Sequence, residues 1–223
     1  MKKFTSLAIA TIISLGSFTT VMATAPAPAV TMPFPVVSFE AAETGWNVTG
    51  PLSAHEVVTN AGVVAGTQAL KVTATARQTT DWNNLTKLNI MPAGQIWNAG
   101  VGNVIVATVT NPDTVNDLQI RWNITDNKGN TRMMFFLVPA GQTKELTVDS
   151  VRMGEPGVVS ASWTGDGYAQ KGFDPTCIKA MSFYVAEPEV EKVMKGVTSP
   201  AYIIDNITVK PAPAAVPVTL PLK

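Results

Sequence analysis

The sequence predicts an all-β chain folded as a β-sandwich. Three observations predict it: short segments alternate apolar and polar residues with period two, Gly, Pro and Asn punctuate them, and no stretch sustains a helical period. At 223 residues one domain is the expectation for such a chain. Hydrophobic residues make up 46% and charged residues 14%, which leaves ample material for a core and little for a charged coat.

Lys2-Lys3, the apolar and small-residue run Phe4 to Thr20, and Val21-Met22-Ala23 have the three parts of a secretory signal, expected over 1–23 with cleavage near Ala23. No charged flank follows the run, which argues against a membrane anchor, and no cysteine follows it to carry a lipid. Residues 24–35, opening Thr24-Ala25-Pro26-Ala27-Pro28, have linker composition. The chain has 16 cationic and 16 acidic side chains; without Lys2 and Lys3 the net charge is −2, which argues against nucleic acid or an anionic membrane as partner. Cys177 is the single cysteine, so an internal disulfide is excluded and stability rests on the core. A secreted chain of this kind is expected in a bacterial periplasm or outside the cell, with Cys177 as a small core residue.

The sandwich is expected over 36–210. Val36 to Glu40 has the residues of a short strand ending in an acid, and Thr44 to Gly50 those of a turn leading into a second, packed by Trp46. In Gly66 to Ala74, turn chemistry gives way to Leu70, Val72 and Ala74 alternating with Lys71 and Thr73. Leu85 to Ile90 repeats the pattern. Asn103 to Thr110 is nearly continuous apolar sequence, the mark of a strand covered on both faces. Leu118, Ile120, Trp122 and Ile124 then alternate with Gln119, Arg121, Asn123 and Thr125, and Asp126-Asn127-Lys128-Gly129-Asn130 is hairpin-turn sequence. Strands are expected over Thr131 to Val138, Thr143 to Val148 and Ile178 to Ala186, with one or two helical turns in Glu189 to Lys195. Glu155 to Pro175 is a long structured loop, a class of segment that tends to carry function. The tail, 211–223, is Pro/Ala-rich.

Catalytic signatures are missing. The chain has one histidine, His55, in turn-like surroundings, and neither a Gly-x-Ser-x-Gly, a phosphate loop nor a dinucleotide fingerprint. Acid pairs drawn from Asp81, Asp126, Glu155 and Asp166 are what any sandwich with sixteen acids offers, so they identify no hydrolase. The chain is expected not to be an enzyme.

The last strand, Ala201 to Lys210, interrupts its apolar run with Asp205-Asn206. A carboxylate inside a strand needs either solvent or a partner, because an unpaired buried charge is expensive. If the first and last strands are neighbours, Glu40 and Asp205 converge with backbone carbonyls near Gly66 to Lys71. That oxygen-only set suits calcium rather than zinc. The alternative is that both acids are solvated edge residues or pair with Lys71.

Phe39-Glu40, Gly66-Thr67-Gln68-Ala69-Leu70-Lys71-Val72 and Ile203-Ile204-Asp205-Asn206-Ile207 resemble the galactose-binding-like jelly-roll modules of carbohydrate-active enzymes. With Ser162-Trp163-Thr164 and the stretch from Tyr168 to Ile178, the likeness is greatest to the non-catalytic N-terminal module of family-50 β-agarases and runs from about Val36 to Lys210. It implies a jelly-roll sandwich that binds polysaccharide or oligosaccharide, with an agar-type galactan as the expected ligand. It also implies a structural Ca²⁺ at Glu40 and Asp205. Sugar rings stack on flat aromatics while their hydroxyls need fixed polar partners. Trp163, Tyr168 and Trp82, in polar loop contexts, are the candidate platforms; Asp166, Arg121 and Asn123 are the candidate hydrogen-bonding groups. Trp46, Trp97 and Trp122 are expected in the core. The rival readings are an envelope-associated structural or interaction protein and a small polysaccharide lyase or hydrolase.

Overall fold

The computed structural model of the chain describes residues 29–40, 45–77, 85–91, 94–154 and 172–213. Twelve strands appear among them: β1 (Val30–Pro33), β2 (Trp46–Thr49), β3 (Ser53–Val58), β4 (Ala69–Ala74), β5 (Lys87–Ile90), β6 (Gln95–Asn98), β7 (Val104–Thr110), β8 (Leu118–Asp126), β9 (Thr131–Val138), β10 (Thr143–Val148), β11 (Ile178–Tyr184) and β12 (Ala201–Lys210). Two short helices join them, α1 (Ser150–Met153) and α2 (Glu187–Lys192), with a 3-10 turn at Pro175–Cys177. No helix among the described residues is long and apolar enough to cross a membrane.

The strands form two sheets. One runs β10-β7-β12-β4-β3. In the other, β11 is central: β8 pairs its one side and β9 lies beyond, while β5 and β6 share its other side, backed by β2 and β1 respectively. The core between the sheets draws on both. Leu70, Val72, Ile105, Val109 and Ile204 from the first meet Leu88, Ile90, Ile120, Trp122, Ile124 and Phe183 from the second. Trp122 is fully buried and stacks on Phe183, ring centroids 4.7 Å apart. The jelly-roll sandwich expected from the sequence is the fold found.

Period two explains most elements. Along β8 every second residue from Leu118 to Asp126 is buried and the residues between are half-buried, as a strand with one face on a core requires. β7 is buried from Val104 to Val109, because it lies between β10 and β12. Trp97 and Trp122 are buried, and Trp46, half-buried, packs against the same core. Helix α1 is one turn, capped by Asp149, whose carboxylate accepts from the Arg152 N–H at 2.8 Å, and closed by left-handed Gly154.

Several expectations need correction. The 24–35 linker contains β1, which pairs in parallel with β6 although all four of its residues are exposed. Val36 to Glu40 is not a strand: one bridge, Val37 to Ile207, ties it to β12, with both backbone bonds 2.9 Å long. His55 lies in edge strand β3, not a turn, where its exposed ring meets Trp46 edge-on at 5.8 Å. The helix near Glu189 starts two residues earlier, at Glu187. Cys177 is half-buried with a free thiol whose pKa burial raises, which keeps it protonated and unreactive.

Candidate functional site

Two constellations stand out, one on each sheet. The first is the outer face of β9-β8-β11-β5-β2. Alternation turns Arg121 and Asn123 outward from β8 while Ile120, Trp122 and Ile124 face the core. Register then fixes their neighbours. One row across the sheet reads Phe135, Arg121, Tyr184, Lys87, Thr49; the next reads Met133, Asn123, Ser182, Asn89, Asn47. The face opens from β9 towards β2. Tyr184 and Met133 are buried, Arg121, Asn123, Ser182, Lys87 and Asn89 half-buried, and Thr49 and Asn47 exposed.

The row is preorganised. The Arg121 guanidinium lies over the Phe135 ring at 4.9 Å and faces the Tyr184 ring at 5.9 Å; the Lys87 ammonium faces Tyr184 from the next strand at 5.1 Å. The Tyr184 hydroxyl donates to the Met133 sulfur at 3.5 Å. Asn89 Nδ2 donates to Asn47 Oδ1 at 3.2 Å and to Thr49 Oγ1 at 3.0 Å. Asn123 Oδ1, in contrast, is buried and has no hydrogen-bond partner. A buried acceptor left unmade is costly, and an orphan in a native structure calls for an explanation.

The second constellation is a carboxylate clasp at β12. Asp205 is fully buried. Its Oδ2 accepts the N–H groups of Val64 and Ala65 at 2.6 and 2.7 Å, and its Oδ1 accepts Asn206 N–H at 2.7 Å. Glu40 Oε1 accepts the N–H groups of Thr67 and Gln68 at 2.7 and 3.0 Å, and Oε2 accepts the Thr67 hydroxyl at 2.9 Å. The two acids therefore grip one loop, 64–68, from either end. Where carbonyls were expected the loop presents N–H groups, and Lys71 pairs with Glu56 at 2.7 Å instead. Both acids adjoin a residue with left-handed backbone, Phe39 at φ 59° and Asn206 at φ 51°, uncommon outside glycine and a mark of local constraint. Gly66, at φ 71°, is obligatory: a Cβ there would stand 2.3 Å from Glu40 Oε1.

Electrostatics divide the pair. Burial pushes the Asp205 carboxyl above its ordinary range; the N–H groups of Ala65, Val64 and Asn206 pull the other way, and the Glu40 charge adds to the push. Glu40 is held below its ordinary value, chiefly by the Thr67 N–H and hydroxyl. Six hydrogen bonds use most of the roughly eight acceptor positions of two carboxylates, with one position left on Asp205 Oδ1 and one on Glu40 Oε2. Among the described residues no group of three or more His, Cys, Asp and Glu is gathered for a metal.

Of the predicted site residues, Arg121 and Asn123 share the sheet face, and Glu40 and Asp205 share the clasp. Trp163, Tyr168, Trp82 and Asp166 lie outside the described residues, as do Asp81 and Glu155. Asp126 is spoken for: it accepts Lys128 N–H, Asn130 N–H, Asn130 Nδ2 and Asp174 N–H, all within 3.1 Å, and so locks the hairpin turn. Lys87, Asn89 and Tyr184 were not foreseen. Alternation around buried Leu88 and Ile90 was a signal for the first two; Tyr184 is placed by register alone.

No protein-family model matches the chain, and no curated protein matches its sequence. Solved structures do share its fold. An exo-β-agarase superposes on 79% of this chain with a TM-score of 0.57 at 18% identity, and a second agarase on 80% with a TM-score of 0.51 at 14% identity. The chain spans about a quarter of the length of these agarases, 24% and 26%. A family 11 carbohydrate-binding module of a Clostridium thermocellum cellulosomal cellulase is covered over 95% of its length at 10% identity and a TM-score of 0.48. The resemblance to the agarase structures thus holds at the level of fold.

Proposed function

We propose that the chain is a non-catalytic carbohydrate-binding module and that the outer face of β9-β8-β11-β5-β2 is its binding surface. The observation that carries this reading is Asn123 Oδ1, a buried acceptor without a partner at the β8 end of a row of amides and hydroxyls. Turned towards the open face, this amide would meet a sugar hydroxyl as its donor, and Asn89, Ser182 and Asn47 extend the same chemistry across four strands. Neighbouring strands are roughly 4.8 Å apart, so the row offers polar partners along several consecutive sugar units. The fold shared with agarases makes an agar-type galactan the first ligand class to test. Trp163, Tyr168, Trp82 and Asp166 remain proposed partners from the loops. The sequence over 1–23 supports export to the periplasm or beyond. We also propose that Glu40 and Asp205 hold a structural calcium ion, which would neutralise two adjacent carboxylates and stiffen loop 64–68.

Affinity-gel electrophoresis against agarose, laminarin, alginate and xylan tests the reading. Retardation on at least one gel is expected, and unretarded migration on all four removes it. Asn123→Ala sharpens the test, because an orphaned buried acceptor destabilises the fold by about 1–3 kcal/mol while serving the ligand. The variant is therefore expected to unfold at the same temperature as the parent or higher, yet bind about tenfold more weakly, the equivalent of one good hydrogen bond of about 1.4 kcal/mol. Unchanged affinity would show that Asn123 does not touch the sugar.

A further inference from the structure

We infer that a pocket between β1 and the turn at 98–103 holds one neutral sugar unit, a second glycan site apart from the sheet face; this rests on the carbohydrate-binding reading above. The pocket has a volume of about 360 Å³. Thr31, Met32 and Pro33 of β1 form one wall, and Asn98, Ala99, Gly100 and Asn103 form the other. Core packing gives β1 no reason to be there, because all four of its residues are exposed. What holds it are backbone bonds to β6, with the Phe34 ring edge-on to Trp97 at 5.1 Å just beyond. Val30 and Phe34 donate their N–H groups to Gly94 and Asn98 carbonyls on that side. Thr31, Pro33 and Pro35 therefore turn to the outer edge, where the two prolines offer no N–H to a further strand. With core and edge both excluded, the wall of the pocket is what β1 builds.

The opposite wall is a fixed turn whose amides are half spent. Asn98 Oδ1 accepts the Gly100 N–H at 2.8 Å, and Asn103 Nδ2 donates to the Ala99 carbonyl at 2.8 Å. Gly100 has φ 76°, and a Cβ there would stand 2.7 Å from Asn103 Nδ2, so glycine is what leaves room for that amide. These bonds fix which end of each amide is used. Asn98 keeps its NH₂ and Asn103 its carbonyl oxygen. Neither these groups nor the Thr31 hydroxyl has a hydrogen-bond partner among the described residues. Thr31 and Asn98 are exposed, and Asn103 is half-buried with no orphaned atom sealed from solvent. Unlike Asn123 Oδ1, these groups are open to a ligand as they stand.

Chemistry then selects the ligand. One donor, one acceptor and one hydroxyl able to act as either complement a vicinal diol, in which each hydroxyl gives a hydrogen bond and takes another. None of the described lining residues is charged, so an ionic ligand would give up water here without meeting a counter-charge. Met32, Pro33 and Ala99 supply apolar surface for the C–H groups of a sugar ring. Volume limits the length. Pockets for drug-sized ligands span roughly 300–1,000 Å³, and this one lies near the lower bound. It takes a single sugar unit, a chain end or a side branch, and not a polymer laid across it.

The experiment follows backbone amide and side-chain NH₂ resonances by NMR while the full chain is titrated with the neutral tetrasaccharides of agarose, laminarin and xylan. At least one is expected to shift residues 98–103 and the Asn98 NH₂ saturably. Thr31→Val removes the hydroxyl and keeps its shape; Asn98→Asp keeps the acceptor for Gly100 and loses the donor. Each is expected to weaken this site about tenfold, the equivalent of one good hydrogen bond, with Tm unchanged and any shifts on the sheet face unaffected. Asn123→Ala should leave the shifts at 98–103 in place. Shifts at Asn47, Asn89, Asn123 and Ser182 with none at 98–103 overturn the pocket and leave the sheet-face reading standing. Shifts at 98–103 that survive both substitutions undiminished overturn it as well. No shift with any of the three sugars overturns the pocket and, together with unretarded gels, the carbohydrate-binding reading itself.

Discussion

Asp205→Ala is expected to destabilise the protein by about 3 kcal/mol. Three N–H groups, from Val64, Ala65 and Asn206, end on this one carboxylate, and the side chain is fully buried. Hydrogen bonds to a charged acceptor contribute about 1.5–3 kcal/mol each, and each buried donor left without a partner costs about 1–3 kcal/mol. The full sum is not expected, because the substitution also removes a desolvated charge and its repulsion with Glu40. Asp205→Asn should lose less: one amide oxygen can still accept from Val64 and Ala65, although its NH₂ then faces the Asn206 N–H. For a domain of this size 3 kcal/mol corresponds to a fall in Tm of about 6–12 °C. Urea denaturation measures the energy and hydrogen exchange the location, since protection at Val64 and Ala65 should collapse first. A loss below about 1 kcal/mol, with those amides still protected, would mean that the loop holds its shape without the clasp.

The clasp also shows where sequence reading reaches and where it stops. An acid interrupting the apolar run Ile203-Ile204 flags Asp205 as a residue with a structural task, and the bridge from Val37 to Ile207 brings Glu40 to the same place. What the acids hold was not legible, because backbone N–H groups carry no residue-type signal: Val64 and Ala65 look like ordinary loop residues. Along β8 the reading succeeds because one face is buried and the other is not, so Trp122 inward and Arg121 outward follow from parity alone. It fails for β3 and β1, whose residues are mostly exposed. Burial leaves no alternation in Ser53–Val58, and Val30–Pro33 follows a Pro/Ala-rich stretch. On the sheet face, each strand reveals which of its own residues point out, but Lys87, Tyr184 and Arg121 become neighbours only through register across β5, β11 and β8, separated by up to 97 sequence positions between Lys87 and Tyr184. Pairing partners are a global property of the fold, and a local pattern does not encode them.

Calcium is expected to raise Tm by about 5–10 °C when present at a hundredfold excess over its dissociation constant, which corresponds to about 2.7 kcal/mol of linkage. EDTA should reverse the shift, and magnesium should not reproduce it, because an irregular set of carboxylate oxygens and water suits the larger ion while magnesium demands near-ideal octahedral geometry. The pH dependence has a definite sign. Without metal, the raised Asp205 pKa means that its contribution to stability is present below the ordinary carboxylate pKa and is lost as pH rises through the raised value. Glu40 acts the other way: its depressed pKa gives a contribution that is present above the ordinary value and is lost as pH falls through the lowered one. Calcium requires both groups ionised, so it overrides the Asp205 penalty, and the metal-dependent part of Tm should grow from about pH 4 towards neutrality. Asp205→Ala should abolish the calcium increment altogether, which separates a specific site from general ionic stabilisation. Glycan affinity well below the melting temperature should survive EDTA, because the clasp belongs to β12 and the proposed sugar face to the opposite sheet. Identical melting curves in calcium and in EDTA at neutral pH would exclude the ion. The two acids would then be held by the loop's N–H groups alone.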